Sequence, residues 1–265
     1  MHLVPESAEP PSPRDPGGPA APGTTNSAGD QARTIDAVLF DFHGTLAQVE
    51  DPITWVRAAA ADCGVVLEIG EATVLADRLV TAGRAGGPPP YRVPPHLMEV
   101  WAERDLYPHA HRAAYTGLAS TVPTTIDGLA DALYDRGTQP HSWHPYADSV
   151  AVLKAVKSAG LAVAVVSNIG FDIRPMIQAF GMSDLIDSLV LSYEIGRIKP
   201  DPAIFEYACA ALRVDPERTL MVGDSAADAG ALAAGCTAYL VPTVDHGRRN
   251  GLAAVAALAG ARSPV

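Results

Sequence analysis

The chain has 265 residues, 48% of them hydrophobic, a formal net charge of −11 and three cysteines. That length suits one large domain or two small ones, and the acidic balance argues against unspecific nucleic-acid binding, which needs basic surface. Three irregularly spaced cysteines argue against a disulfide framework and for a reducing cytoplasm, and no run of about 20 uncharged apolar residues marks a membrane span.

Residues 1–33 hold seven Pro and four Gly and almost no large apolar side chain after Val4. Such a segment buries too little surface to offset its ordering entropy, so a disordered tail is expected; it lacks the basic start and apolar run of a signal peptide. IDAVLF (35–40) reads as a buried strand. Residues 50–142 break the strand rhythm with helical pieces such as PITWVRAAAADCG, EATVLADRLVTAG, PPHLMEVWAERD, HAHRAAYTGLAS and TIDGLADALYDRG. They read as a small helical domain inserted into a core formed by 34–49 and 143–265, with PHSWHPYADS (140–149) as the return linker, and such an insert could move as a lid.

Beyond the insert, a helix from about Asp148 to Gly160 carries Val150, Leu153 and Val156 on one stripe, and LAVAVVS (161–167) is a strand. Ile173, Met176, Ile177 and Phe180 mark the next helical face, SLVLS (188–192) a strand, and Ile204, Phe205, Ala208, Cys209 and Leu212 a helix opened by Pro202. TLMVG (219–223) and TAYLV (237–241) are further strands around an Ala-rich helix at 226–234, and VDHGRRNGLAAVAALAG reads as a last loop and helix closing the sheet edge. Continuous apolar strands alternating with amphipathic helices predict an α/β fold: a Rossmann-like parallel sheet covered on both faces.

Ligands of such sheets bind beyond the carboxyl ends of the strands. There the sequence places Asp41, His43 and Thr45 after the first strand, and Ser167 and Asn168 after the second. Lys199 in RIKPDP follows the third, and Asp224 and Asp228 in GDSAAD follow the fourth. Asp41 can serve as a nucleophile where the reacting centre is held in line. Clustered carboxylates raise one another's pKa unless a cation intervenes, and Mg²⁺ with oxygen ligands fits Asp41, Asp224 and Asp228. Lys199 offers a point charge to an anion, and the Ser167 hydroxyl a hydrogen bond.

With DFHGTL, VVSN, KPDP and GDSAAD in this order, the sequence from about residue 34 to 258 resembles the haloacid dehalogenase superfamily, its helical-cap members in particular. The resemblance implies a phosphatase with Asp41 as nucleophile and a phosphoaspartate intermediate. It implies that Ser167 and Lys199, with Thr45 and Asn168 beside them, bind the phosphoryl group. Asp41, Asp224, Asp228 and the backbone carbonyl of His43 would surround Mg²⁺. The expected substrate is a small phosphorylated metabolite, handled by a monomer or homodimer with no nucleic-acid or membrane partner.

His43 departs from the family pattern, in which phosphatases carry a second aspartate at that place. Imidazole, with an ordinary pKa of about 6.5, can do the same acid–base work. Three readings stay open: a replacement acid–base, a substrate contact in an enzyme of altered chemistry, or a weakly catalytic phosphate binder. Retention of Gly223-Asp224 speaks against dehalogenation, which needs no divalent ion. In the insert, residues 91–117 carry Arg92, His96, Trp101, Arg104, His109, His111, Arg112 and Tyr115, expected to be mostly solvated faces and core aromatics, with any cleft-facing Arg able to clamp an anionic substrate group. Trp55 and Trp143 are expected to pack insert on core.

Overall fold

The computed structural model describes residues 35–244 and 248–258; the expected tail, 1–33, lies outside them. Five parallel strands form the sheet: β1 (Ala37–Phe40), β4 (Ala162–Ser167), β5 (Ser188–Leu191), β6 (Thr219–Gly223) and β7 (Thr237–Leu240). Their order is β5-β4-β1-β6-β7, with Phe40 beside Val165 on one flank and Val222 on the other. The chain thus adds strands first on one side of β1 and then on the other, leaving a crevice at the carboxyl end of β1.

Period-two alternation builds two apolar layers from these strands. Val38, Phe40, Val163, Val165, Leu220 and Val222 face one cluster; Leu39, Ala164, Val166 and Met221 face the other. The first layer is closed by α6 (Ser149–Ser158), α7 (Arg174–Ala179) and α11 (Ala253–Leu258), through Leu153, Val156, Met176, Ile177 and Val255. The second is closed by α9 (Pro202–Leu212), whose Ile204, Phe205, Ala208 and Cys209 are buried, with Pro202 in its first turn and the Asp201 carboxylate capping the Ala203 N–H.

The expected strands hold to within two residues. Differences arise where chain ends tighten. The predicted helix at 226–234 is an α-turn, α10 (Ala226–Ala229), followed by a 3₁₀ segment, Gly230–Ala234. Ser192 leaves β5 to open a four-residue helix, α8 (Ser192–Ile195).

Between β1 and α6 the chain forms α1 (Pro52–Asp62), α2 (Ile69–Ala82), α3 (Met98–Glu103), α4 (Pro108–Ser120) and α5 (Leu129–Gly137). They gather around a third apolar cluster that includes Trp55, Val56, Leu79, Ile126 and Leu133. Trp55 therefore packs inside the helical insert, its indole N–H donating to the Leu133 carbonyl at 2.9 Å. Trp143 does join the two parts: its ring lies in the first sheet layer while its Nε1 donates to the Gly137 carbonyl at 2.9 Å.

The return segment is more ordered than a linker. Trp143–Pro145 forms β3, paired antiparallel with β2 (Ala47–Val49), so that Val49 faces Trp143 and Ala47 faces Pro145. Beside this ribbon the buried Glu50 carboxylate accepts two bonds of 2.6 Å from Arg136. Among the described residues, no helix is long and apolar enough to cross a membrane.

Candidate active site

The end of β1 is drawn into the crevice because the Asp41 N–H continues the ladder onto the Val222 carbonyl at 2.8 Å. The Asp41 side chain is buried and held from two sides. Lys199 Nζ lies 2.5 Å from its Oδ1, and the Thr45 hydroxyl donates to Oδ2 at 3.4 Å. The same lysine reaches Asp228 Oδ1 at 2.6 Å. Asp228 in turn accepts from the Ser225 N–H and hydroxyl on its second oxygen, as the acid of a capping box on α10.

Asp224 completes the group, its Oδ2 accepting from the Thr243 hydroxyl at 2.7 Å. One oxygen each of Asp41, Asp224 and Asp228 lies within 4.8 Å of the others. Two glycines make that closeness possible. Gly44 sits at φ +84°, and a Cβ there would stand 2.0 Å from Asp224 Oδ2; a Cβ on Gly223 would stand 2.1 Å from Asp228 Cγ. An all-oxygen donor set, cradled where side chains would collide, fits a hard divalent cation.

The electrostatics point the same way. Burial pushes the Asp41 carboxyl up to about 7; the Lys199 charge opposes this, and Asp228 and Asp224 add to it. One lysine among three acids leaves charge that a divalent ion would balance. Burial likewise pushes the His43 imidazole down, with Asp224 pulling the other way. His43 Nε2 is buried without a hydrogen-bond partner, and its ring meets Trp143 edge-on at 5.5 Å.

Ser167 ends β4 and is buried. Asn168 is spent on the backbone: its Nδ2 donates to the Lys199 carbonyl at 2.8 Å and its Oδ1 accepts the Lys199 N–H at 2.7 Å. Its carboxamide thus fixes the loop that presents Lys199. All eight expected residues, from Asp41 and His43 through Thr45, Ser167, Asn168 and Lys199 to Asp224 and Asp228, lie at this edge of the sheet.

Next to it a cavity of ≈ 180 Å³ runs under the helical insert, with His43, Asn168, Arg104, Asp105, His111 and Tyr115 among its lining. Arg104, His111 and Tyr115 therefore line the site, His111 and Tyr115 from within an aromatic cluster with Tyr134 and Phe171 and Arg104 as the cleft-facing arginine. The other residues of that stretch do not line it: Arg112 pairs with Asp131 and Asp135, and Arg92, His96 and His109 are exposed. His109 and His111 do not form a metal pair; His111 Nδ1 lies 2.9 Å from the Tyr134 hydroxyl.

Sequence reasoning passed over Asp105, Ser192 and Thr243. The Ser192 hydroxyl donates to the Asp105 carbonyl at 2.5 Å and accepts the Ile169 N–H at 2.9 Å, tying the insert to the loop after β4. A lone serine after a strand carries no local mark of that contact.

A family model described as haloacid dehalogenase-like hydrolase matches residues 35–235. The chain belongs to this family. Among curated haloacid dehalogenase-like hydrolases and related enzymes, it is 33% identical to (S)-2-haloacid dehalogenase 1 of Pseudomonas sp. (strain CBS-3), over 82% of this chain and 86% of that one. It is 36% identical to the phosphoglycolate phosphatase of Pasteurella multocida, over 34% of this chain and 42% of that protein. The chain spans 39% and 42% of the mouse and zebrafish haloacid dehalogenase-like hydrolase domain-containing protein 3 that it also matches. Among solved structures, a dehalogenase aligns with TM-score 0.59 at 22% identity, covering 87% of this chain and 98% of that one. A HAD phosphatase from Thermococcus onnurineus aligns with TM-score 0.54 at 22% identity, over 87% of this chain and 100% of that one. These two share the fold.

Proposed function

We propose that this haloacid dehalogenase-like hydrolase is a Mg²⁺-dependent phosphatase of a small phosphorylated metabolite, acting through an aspartyl phosphate on Asp41. The observation that carries this reading is the convergence of Asp41, Asp224 and Asp228, with Lys199 bridging Asp41 and Asp228. Asp41, Asp224, Asp228 and the His43 backbone carbonyl would hold the ion, which when bound neutralises the acids and withdraws charge from a phosphoryl oxygen. The Ser167 and Thr45 hydroxyls, the Lys199 ammonium and the main chain at Asn168 receive the phosphoryl oxygens.

An Asp41 oxygen attacks phosphorus in line while the bond to the leaving alcohol breaks, and the alcohol oxygen takes a proton from His43. Water then attacks the acyl phosphate, gives its proton to His43 and releases phosphate and Asp41. The helical insert, as a cap over residues 50–142, excludes bulk water during both steps. We place the protein in a reducing cytoplasm, as a monomer or homodimer with no nucleic-acid or membrane partner.

A second reading, hydrolysis of a carbon–halogen bond, is favoured by the dehalogenase relative that matches over 86% of its length. One experiment separates the two. Phosphate release from p-nitrophenyl phosphate and chloride release from 2-chloropropionate are measured with Mg²⁺ and with EDTA. We expect phosphate release that EDTA abolishes and that Asp41→Asn lowers on the order of 10³-fold or more. Chloride release indifferent to EDTA, with no phosphate release, would replace the first reading by the second.

A further inference from the structure

The cavity beside His43 adjoins the carboxylate site through Asn168, which lines it and also clamps the Lys199 backbone. In a phosphatase this is where the leaving group sits, so its lining bears on what the enzyme accepts. Its ≈ 180 Å³ is below the ~300–1,000 Å³ of sites for drug-sized ligands, which suits a leaving group of a few carbons.

Two charged side chains face this space, and they face each other. Arg104 Nη2 lies 3.1 Å from Asp105 Oδ2. Neither is loosely held. The Arg104 guanidinium lies 4.0 Å from the centre of the Trp101 ring and donates to the Trp101 carbonyl at 2.7 Å. The Asp105 main chain is anchored by Ser192. Gly170 lets the Arg104 carbonyl press against the loop after β4, where a Cβ would come within 2.3 Å of it. His111 adds no charge at neutral pH, since burial and then the nearby Arg104 push its imidazole down to about 3.

We propose that Arg104 and Asp105 are specificity-determining residues that select an uncharged, hydroxyl-bearing leaving group, so that the substrate is the phosphomonoester of a small polyol or sugar. A hydroxyl accepts from the guanidinium and donates to the carboxylate, which leaves both partners satisfied. A leaving group with its own carboxylate must face Asp105 in a small cavity, or take Arg104 from it and leave a half-buried acid without its partner. An ammonium group meets the converse problem at Arg104. This inference rests on the phosphatase reading.

The test compares glycerol 3-phosphate with 3-phosphoglycerate, which differ in a hydroxymethyl against a carboxylate, with p-nitrophenyl phosphate as the control ester. For the wild-type chain, kcat/KM is expected to favour glycerol 3-phosphate by at least about tenfold. Asp105→Asn frees Arg104 and should shift that ratio at least about tenfold toward 3-phosphoglycerate, while Asp105→Glu keeps the original preference. Hydrolysis of p-nitrophenyl phosphate without a wild-type preference for the polyol ester, or a ratio unmoved by Asp105→Asn, overturns the inference alone. The wild-type ratio needs no variant, so a misfolded Asp105→Asn protein leaves the question decided. Release from none of the three esters overturns the phosphatase reading and the inference with it.

Discussion

Gly44 carries as much of the site as the acids do. Its left-handed backbone, φ +84°, turns the chain after β1, and its missing side chain gives Asp224 the room to approach Asp41. In Gly44→Ala the new Cβ would meet Asp224 Oδ2 at 2.0 Å. The substitution is expected to cost about 1–3 kcal/mol of backbone strain and to weaken Mg²⁺ binding at least tenfold, on the order expected for displaced support around a metal ligand. Isothermal titration with Mg²⁺, beside a urea melt, reads both effects; tight binding in this variant would remove Asp224 from the ligand set. DFHGTL marks Asp41 in the sequence because an acid ending an apolar run stands out. Nothing local marks Thr243, which reaches Asp224 from beyond β7.

Among the elements, the β2–β3 ribbon has the most to lose from one substitution. Glu50, which follows β2, is 3% exposed and is paired with Arg136 from the end of α5, with buried Arg84 close enough to share its charge. Arg136→Met would leave that carboxylate without its hydrogen-bonded partner, at a cost of about 3–5 kcal/mol, whereas Glu50→Gln combined with Arg136→Met should recover part of the loss, and only part because buried Arg84 then loses its acidic neighbour. Urea midpoints of the three proteins measure this, and a double variant no better than the single one would argue against the buried charge as the cause. The five long strands were legible because their apolar runs are continuous, and α9 because Asp201-Pro202 announces its start. β2 and β3 were not. Three residues each, with Gln48 and His144 on one face, they are too short for their alternation to be read as a strand and are held as strands by pairing with each other. What the sequence left open was that Arg104, just past α3, and His111 and Tyr115 in α4 line the cavity, since helical periodicity tells which residues share a face but not what that face meets.

For the molecule as a whole, His111 stands where the insert meets the core. Its ring lies 4.7 Å from that of Tyr115 and 5.3 Å from that of Phe171, and its Cβ would be 2.5 Å from a Cβ placed on Gly170. Burial, with Arg104 adding to it, lowers its pKa to about 3, against about 6.5 in an unfolded chain. Between those values the unfolded chain binds the proton and the folded one does not, so the His111 contribution to stability is lost as pH drops below about 6.5, against the opposite contribution of Asp41, whose carboxyl burial raises to about 7. His111→Asn should remove that loss from the profile, as read by urea midpoints between pH 7 and 5; an unchanged slope would mean that His111 is protonated at no cost in the folded protein. The pairing of Val49 with Trp143 has a different consequence. The chain departs for α1–α5 and comes back at a single address. Cutting out everything between and closing the gap with a tight turn would simply shorten the excursion to a hairpin, because the two strands already run antiparallel. Such a seam permits interchangeable cassettes on a constant chassis, and selectivity could be rewritten there without disturbing the order of a single strand.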